Sequence, residues 1–404
     1  MKNTLELHKR WKDDPSKGEV FTPIELVHKM LDKIPTYVWV NPNSMFLDPC
    51  MGKGTFIVEI VNRLVYIYGY SKEDAISRVY GYDIRVKYVN YLKRLGFTNV
   101  FHKDFLNETF YMKFDVVVGN FPFQDSNDTG GLLWDKFAKK TNEVLTDGGH
   151  CCVIHPPSFI GKHLTPKKGK TDYTIFNNIQ IKEIHIFDEF QKNKHFNGVG
   201  SKICWYIAQN KVPYEKTKII SYNNGETFSY HKNFSELNIL PQTINRLSLS
   251  IHDKITSAET LNLKFSRELH YHTMKKKNQV KDERDETNYR YHSYFSHKIL
   301  RYSNFQFSDY GKIKVMIPQT STISNSFLGV NCNVSEDLFY YVCQNENEAI
   351  DILEMLKSPI INYIGKMYRN GRNLGFVLKS GIIPKNIQNI NFTEEEIKYI
   401  NSYV

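Results

Sequence analysis

Short apolar runs alternate with helical patterns over the first half of the chain, up to about residue 210. Such alternation is typical of β-α-β units, in which parallel strands are joined by helices that cover the sheet. The sequence therefore predicts an α/β fold with a doubly wound, mostly parallel, seven-stranded sheet. The seven predicted strands span residues 44–48, 78–83, 99–104, 114–120, 150–156, 181–188 and 202–208.

Capping signals predict several helix starts. Thr22 supplies a capping hydroxyl, Pro23 the first helical position and Glu25 the third, which predicts a helix over about 23–33. A capping side chain is followed three residues later by an acid at Ser71, Asn345 and Thr393.

Beyond residue 210 the apolar runs shorten and polar clusters become frequent. The segments KVPYEKTK and SYNNGETFSYHKN interrupt the apolar rhythm, which indicates a domain boundary. We expect one domain over 1–215 and a second, α+β domain over 216–404.

Charge and cysteine usage restrict the function classes. Lys and Arg number 53 and Asp and Glu 43, a net charge of +10 that suits a polyanionic partner, although a lysine-rich solvated surface gives the same number. No apolar run approaches the ~20 residues of a membrane span, and the N-terminus lacks a signal-peptide core. The six cysteines form no C-x-x-C pair, so we expect no metal site and no disulfide framework, and a cytoplasmic protein.

The first predicted strand leads into a glycine-rich turn, DPCMGKGTF (48–56). A turn of this kind at the carboxyl end of the first strand lets a ligand approach the backbone. Neither phosphate-binding pattern is present, and Asp48 repels an anion and suits a cation. S-adenosyl-L-methionine fits better, because it carries an ammonium and a sulfonium but no phosphate.

Two later strand ends carry further acids. Asp83, 35 residues after Asp48, is suited to accept the ribose hydroxyls, and Asp104 to accept from an adenine amino group. Helix capping is the alternative role for an Asp at a strand end.

The fourth predicted strand, FDVVVGN, is followed by FPFQ. In this segment the chain resembles the amino-directed DNA methyltransferases (N6-adenine or N4-cytosine), whose catalytic motif is [DNS]-P-P-[YF]. Further stretches match in order: GEVFTP (18–23), FLDPCMGKGTF (46–56), GYDI (81–84), KDF (103–105) and GSKICWYIA (200–208). This order resembles the gamma class, and the match covers roughly residues 18–208.

The resemblance implies a Rossmann-like, class I S-adenosylmethionine-dependent methyltransferase fold with a C-terminal target-recognition domain. It implies a catalytic motif of Asn120, Phe121, Pro122 and Phe123. The implied cofactor-binding residues are Glu19, Phe21, Thr22, Pro23, Asp48, Pro49, Cys50, Gly52, Gly54, Phe56, Asp83, Ile84, Asp104 and Phe105.

Phe121 stands where the family usually has proline. In the family the Asn amide oxygen and the carbonyl of the next residue accept hydrogen bonds from the target amino group. Because that carbonyl is backbone, Phe121 still supplies it, and what is lost is the fixed φ of proline. We expect that the ring packs in the core and that only this carbonyl acts, so that Phe121→Pro would retain or modestly raise activity. The alternative is that the ring packs against the target base or the second domain, in which case the same change would lower turnover.

Two basic segments are candidates for contact with double-stranded DNA. The loop after the fifth strand carries Lys162, Lys167, Lys168 and Lys170 and suits phosphates, a solvated loop being the alternative. The acid-free stretch 365–379 supplies Lys366, Arg369, Asn370 and Arg372, residue types that read base edges.

These expectations describe a site-specific DNA adenine-N6 methyltransferase, the modification component of a restriction-modification system or a solitary or phage enzyme. N4-cytosine or RNA methylation, and a catalytically weak DNA-binding specificity protein, remain alternatives. C5-cytosine chemistry is disfavoured, because the single Pro-Cys pair lies in the cofactor turn at 49–50. The nuclease pattern PD-[DE]xK is not found, so we expect any cognate restriction endonuclease to be a separate chain. We also expect a monomer that does not contact membranes.

Overall fold

The structure is a computed structural model, and it describes residues 20–123, 133–160, 176–223, 225–234, 239, 241, 245–265, 271–296, 299–368 and 374–403. The chain divides into two compact units, Met1–Asn238 (unit 1) and Ile239–Val404 (unit 2). Each unit is described by itself.

One sheet organises unit 1. In chain order its strands are β1 (Phe46–Asp48), β2 (Val79–Asp83), β3 (Val100–His102), β4 (Phe114–Asn120), β5 (Leu145–His155), β6 (Gln180–Ile186), β7 (Cys204–Gln209), β8 (Thr217–Asn223) and β9 (Glu226–Lys232). The spatial order is β3-β2-β1-β4-β5-β7-β6-β8-β9. Strands β3, β2, β1, β4 and β5 pair in parallel, and β7 runs antiparallel between β5 and β6.

The predicted α/β fold and each of the seven predicted strands are confirmed, but the sheet has nine strands among the described residues. Strand β8 pairs in parallel with β6, and β9 forms a hairpin with β8. The expected boundary at 215/216 would separate this hairpin from the sheet that it continues. Unit 1 therefore extends to residue 238.

The described helices of unit 1 connect these strands. They are α1 (Ile24–Leu31), α2 (Thr36–Val40), α3 (Thr55–Tyr66), α4 (Lys72–Ser77), α5 (Val86–Arg94), α6 (Trp134–Val144) and α7 (Glu189–His195). Ser71 caps α4 by accepting a hydrogen bond from the Asp74 amide, as predicted.

The predicted Thr22 cap of α1 is wrong. Pro23 is the N-cap, with extended backbone and no side-chain hydrogen bond, so the helix begins at Ile24. Packing of apolar side chains stabilises this helix instead, because Leu26, Val27 and Met30 are buried in the core formed by α3, α5 and the parallel strands.

Unit 2 contains two small sheets and a helical cluster. One sheet has the order β10-β17-β14-β15 and the other β11-β13-β12-β16. The strands are β10 (Lys264–Phe265), β11 (Val280–Lys281), β12 (Tyr291–Ser296), β13 (Ile299–Ser303), β14 (Lys314–Pro318), β15 (Phe327–Gly329), β16 (Asn333–Val334) and β17 (Leu338–Val342). The helices are α8 (Arg246–Thr256), α9 (Tyr271–Lys276), α10 (Glu346–Leu356), α11 (Pro359–Met367), α12 (Gly375–Lys379) and α13 (Glu394–Asn401).

Both predicted caps in unit 2 are confirmed. Asn345 caps α10, and Thr393 forms a reciprocal capping box with Glu396 at the start of α13. Helices α8, α10, α11 and α13 bury their apolar faces in one core with β14. Within the described parts of the chain, no helix has the length and apolar character needed to cross a membrane.

Glu396 ties α13 to α8 through charge. Its carboxylate is 2% exposed and accepts hydrogen bonds from Ser250, Lys254 and the Thr393 amide. Burial alone would raise the pKa of Glu396, but these donors lower it to about 2. Because the pKa of Glu396 is lower in the folded than in the unfolded chain, the ionised carboxylate stabilises the fold at pH values above the unfolded pKa of 4.5. This stability is lost as the pH falls from 4.5 toward 2.

We expect Glu396→Gln to lower the free energy of unfolding of unit 2 by about 2 kcal/mol at pH 7. The difference from the wild type should shrink between pH 4.5 and 2, where the wild-type carboxylate takes up a proton. Urea unfolding across this pH range measures it. Glu395→Gln is the matched control, because its pair with Arg246 is exposed and should contribute less than ~1 kcal/mol. Equal, pH-independent losses in both variants would contradict the assignment.

Candidate functional site

The site lies where β1 and β4 end side by side. These strands pair in parallel, with Phe46 opposite Val116 and Leu47 opposite Val117. The turn after β1 therefore meets the end of β4, and the Cys50 thiol donates to the Asn120 carbonyl at 3.2 Å. A Cβ atom on Gly119 would lie 3.1 Å from Asp48 Oδ1, so a side chain at residue 119 would force the Asp48 carboxylate to shift by a few tenths of an ångström.

The glycine turn has the backbone that the sequence predicts. Gly52 has a φ of +50° and Gly54 a φ of +85°, conformations that side-chain-bearing residues rarely adopt. A Cβ atom on Gly54 would also lie 2.6 Å from Leu92 Cδ2 on α5. Glycine is therefore needed at residue 54, and α3 begins directly after it.

Two buried acids hold the turn. Asp48 Oδ1 accepts from the Cys50 amide at 3.1 Å, and Asp83 Oδ2 accepts from the Gly52 amide at 2.8 Å. Burial raises the pKa of Asp48 to about 8, opposed by the Cys50 hydrogen bond and reinforced by the Asp83 charge. A cationic group placed here would stabilise the ionised carboxylate, so the donor set suits a cationic ligand.

The strand ends beyond β1 differ in what they offer a ligand. Ile84, directly after β2, is 64% exposed and presents an apolar surface at the edge. Asp104 accepts from the Leu106 amide and the Asn107 side chain, which is the capping role that the sequence left open. The Phe105 ring is buried against Phe110 and Phe137, and Phe56 also lies in the core, so these two predicted cofactor residues have packing roles.

The N-terminal motif lies against the glycine turn. Phe21 Cε1 is 3.4 Å from the position of a Cβ atom on Gly52, and the Phe21 ring meets Tyr88 edge-on. Thr22 is buried beside it. Glu19 lies outside the described residues. Tertiary structure thus brings residues 20–23, 48–56, 83–84 and 120–123 together, four stretches that the sequence separates widely.

Asn120 carries an acceptor without a partner. Its side-chain amide donates to the Val20 carbonyl at 3.3 Å, which leaves Oδ1 buried with no hydrogen bond from any described residue. A buried unsatisfied acceptor costs about 1–3 kcal/mol, and such atoms are uncommon in folded proteins. This oxygen is therefore available to a donor on a ligand. Pro122 and Phe123 follow, both half-buried, and the Phe123 ring packs on the core.

Phe121 is anchored by both its backbone and its ring. Its amide donates to the Ile154 carbonyl on β5 at 3.0 Å, a bond that proline cannot make. The ring is 1% exposed and lies 5.5 Å from Phe137 and 6.0 Å, nearly parallel, from His155. The ring therefore packs in the core of unit 1, as expected, and the role of the residue-121 carbonyl toward the target stays a prediction.

Most of the residues predicted to contact DNA lie outside the described part of the chain. Lys162, Lys167, Lys168, Lys170, Arg369, Asn370 and Arg372 lie outside the described residues, so their role stays a prediction. Lys366 on α11 donates to the Tyr403 carbonyl at 2.6 Å. This contact ties Lys366 to the end of the chain.

Sequence reasoning missed two participants. Lys53, between the two glycines of the turn, is buried with its ammonium 4.3 Å from the centroid of the Phe21 ring. The sequence offered one indication of this, because Lys53 lies within the glycine-rich motif DPCMGKGTF at 48–56. His155 supports Phe121 from the end of β5, and only the pairing of β4 with β5 reveals that contact.

Comparisons with known proteins find similar sequences. The family described as N-6 DNA Methylase matches residues 9–288. The type II restriction enzyme and methyltransferase RM.BcgI of Heyndrickxia coagulans is 27% identical over 230 residues, 52% of this chain and 34% of that protein. An uncharacterized adenine-specific methylase of Mycoplasma pneumoniae is 42% identical over 55 residues, 13% of each chain. The chain therefore spans about a third or less of the length of these relatives.

Solved structures also align. The type IIL restriction-modification enzyme MmeI, in complex with DNA, matches with a TM-score of 0.46 and 10% identity, covering 87% of this chain and 64% of that one. The M protein of the type I restriction enzyme EcoKI matches with a TM-score of 0.38 and 14% identity, covering 50% and 48% of the two chains.

We expect Phe121→Pro to lower the free energy of unfolding by about 3 kcal/mol or more, since it removes a backbone hydrogen bond and much of a buried ring. Thermal unfolding measures the loss. Phe121→Leu is the control, because it keeps the amide donor and a large apolar side chain and should destabilise the fold less. A proline variant as stable as the wild type would refute this account of residue 121.

Proposed function

The chain belongs to the N-6 DNA methylase family, and on that premise we propose that it transfers a methyl group from S-adenosyl-L-methionine to the N6 amino group of adenine in double-stranded DNA. The observation that supports this most directly is the buried Asn120 Oδ1, which has no hydrogen-bond partner among the described residues and lies beside a glycine turn suited to a cationic ligand. An exocyclic amino group is a donor that this oxygen can accept.

The chemistry requires positioning rather than a nucleophilic side chain. The lone pair of an exocyclic amine is delocalised into the base, so the amine is a poor nucleophile. Asn120 Oδ1 and the Phe121 carbonyl would accept the two N–H bonds and turn the lone pair away from the ring plane. When bound, S-adenosyl-L-methionine supplies an electrophilic methyl group. Orientation of this quality contributes up to ~7–11 kcal/mol to lowering a barrier.

The residues present fit this cofactor. Asp83 would accept the ribose hydroxyls while it holds the Gly52 amide, and Asp48 would face the cationic groups. The exposed Ile84 side chain offers an apolar face to the adenine ring. Asp104 is occupied as a cap, so its contact with the adenine amino group requires that one of its two hydrogen bonds is given up.

The target adenine has to leave the duplex to reach Asn120, at a cost of a few kcal/mol. Phe123 would stack on the extruded base, and such stacking returns about 1–3 kcal/mol. The Phe123 carbonyl accepts from the Leu133 amide and its ring packs on the core, so the end of the motif is held in place.

Unit 2 would recognise the target sequence through the basic segment at 365–379. The basic segment at 162–170, in unit 1, would contact DNA phosphates. The biological role would be modification within a restriction-modification system, with cleavage by a separate endonuclease, or solitary or phage methylation. Long-read sequencing of host DNA, with and without expression of the chain, tests the proposal. Methylated adenines in a fixed sequence support it; N4-methylcytosine would replace it with the alternative chemistry, and unmodified DNA would refute it.

We expect Asn120→Ala to abolish methyl transfer while the cofactor affinity and melting temperature stay near those of the wild type. The replaced oxygen has no partner among the described residues, so the fold loses only the long bond to Val20. Single-turnover methylation, calorimetry and thermal unfolding measure the three quantities. An unfolded variant would show that Asn120 is structural, and an active one that it is not catalytic.

We expect Asp48→Asn to weaken cofactor binding by about tenfold or more, because it removes the charge but keeps the acceptor for the Cys50 amide. The cationic cofactor should bind best to the ionised Asp48 carboxylate. The wild-type affinity for the cofactor should therefore rise as the pH approaches the Asp48 pKa of about 8, because a larger fraction of the free protein is then already ionised. Calorimetry from pH 6.5 to 8.5 should show this rise in the wild type and a flat profile in Asp48→Asn. Parallel profiles would remove Asp48 from the cofactor site.

A further inference from the structure

The imidazole of His155, at the end of β5, lies beside the catalytic motif and has no role in the methyl transfer described above. The residue is 0% exposed. Its ring is stacked on the Phe121 ring, with the two centroids 6.0 Å apart, and on the Trp134 ring, at 4.5 Å. Phe121 directly follows Asn120, and Trp134 is the first residue of α6. One buried ring therefore contacts the residue after the proposed catalytic amide and the start of the next helix.

Hydrogen bonds fix the tautomer and the orientation of this ring. Nδ1 of His155 lies 2.9 Å from the Pro156 carbonyl oxygen, which can only accept, so Nδ1 carries the proton. Nε2 of the neutral ring is then an acceptor, and the Tyr206 hydroxyl on β7 donates to it at 3.2 Å. Burial lowers the pKa of His155 to about 4, so the ring stays neutral near pH 7. The plane of the ring is therefore set by β5 and β7, independently of Phe121.

Consecutive residues of β5 hold the backbone and the ring of Phe121. The Phe121 amide donates to the Ile154 carbonyl at 3.0 Å, and the Phe121 ring lies on His155. Because the amide and the ring are both held, the Phe121 carbonyl between them has a restricted orientation. Under the proposed function this carbonyl accepts one N–H bond of the target amino group. Misplacement of a reacting group by about 1 Å can slow a reaction about 100-fold, so the rate should respond to whatever holds Phe121.

We propose that His155 is a positioning residue, which orients the Phe121 carbonyl by stacking on the Phe121 ring and so sets the rate of methyl transfer. The inference rests on the proposed function and adds to it a residue outside the catalytic motif. Because His155 is fully buried, it touches neither the target base nor the cofactor and acts through Phe121 alone. A purely structural role would instead lower the stability and leave the rate of the folded protein unchanged.

A double-mutant cycle on the full chain tests this, with His155→Leu, Phe121→Leu and the double variant. Single-turnover methylation of a duplex that contains the mapped target, at saturating cofactor, measures the chemical step. We expect each single variant to slow this step about tenfold and to keep the cofactor affinity within about twofold of the wild type. The double variant should be about as slow as the single variants, because each change removes the same stacking contact. A double variant about 100-fold slower would mean that the two residues act independently, and would overturn the inference.

His185→Leu is the matched control. The His185 ring, on β6, is stacked on Trp205 at 3.8 Å, and its two nitrogens are hydrogen-bonded to Tyr222 and Glu183. It is a buried, stacked and hydrogen-bonded imidazole of the same sheet, but β6 is not a neighbour of β4. The control should lower the melting temperature about as much as His155→Leu and keep the chemical step within about twofold of the wild type. If His155→Leu also loses stability with no change in rate, the role of His155 is structural and the inference fails.

Tyr206→Phe keeps the inference testable if His155→Leu does not fold. It deletes one hydroxyl and leaves every ring in place, so His155 keeps its stacking partners and loses the donor that fixes its orientation. We expect the chemical step to be about threefold slower, with the cofactor affinity unchanged. An unchanged chemical step would contradict the inference.

The outcomes also separate this inference from the proposed function. A wild type that methylates adenine at a rate unaffected by His155→Leu and Tyr206→Phe would overturn the inference alone. A wild type that transfers no methyl group to adenine would refute the proposed function, and the inference would fail with it.

Discussion

The parallel pairing of β1 with β4 is the constraint on which the site depends. It places the glycine turn and Asn120 at one edge, close enough for the Cys50 thiol to reach the Asn120 carbonyl. A side chain at residue 119 would make a tight contact with the Asp48 carboxylate. Because β1 is buried throughout and β4 is buried at five of its seven residues, neither strand can move without disrupting the core, so the fold fixes the distance between the glycine turn and Asn120.

Phe121 stands where the expected catalytic motif has proline, and its contacts replace the rigidity that proline would supply. Proline would restrict the unfolded chain and add about 0.4–1 kcal/mol. The phenylalanine instead keeps a backbone hydrogen bond, about 0.5–1.5 kcal/mol, and buries a ring, about 1.5–3 kcal/mol. These magnitudes favour phenylalanine in this environment. The ring contacts Phe137 and His155, so the surrounding core, rather than a fixed φ, positions the backbone beside Asn120.

The buried polar groups of the site favour ligand binding rather than the stability of the free protein. Asp48 is buried with a raised pKa, and Asn120 Oδ1 is buried without a partner among the described residues. Both arrangements destabilise the free protein, and the proposed cationic cofactor and the amino group of the target would relieve them. In unit 2, by contrast, Glu396 is buried with its donors in place and stabilises the fold directly.

The sequence by itself determined the strands of the parallel sheet, the helix caps at Ser71, Asn345 and Thr393, and the segments that form the site. Those features are local: they follow from apolar runs, from capping side chains and from motif spacing. Tertiary structure alone decided that β8 and β9 extend the sheet, that Phe121 and Phe105 belong to the core, and that Lys53 is buried against Phe21. Each depends on contacts between residues distant in the chain, such as Phe121 with Ile154 on the neighbouring strand, and no local pattern specifies which strand becomes the neighbour.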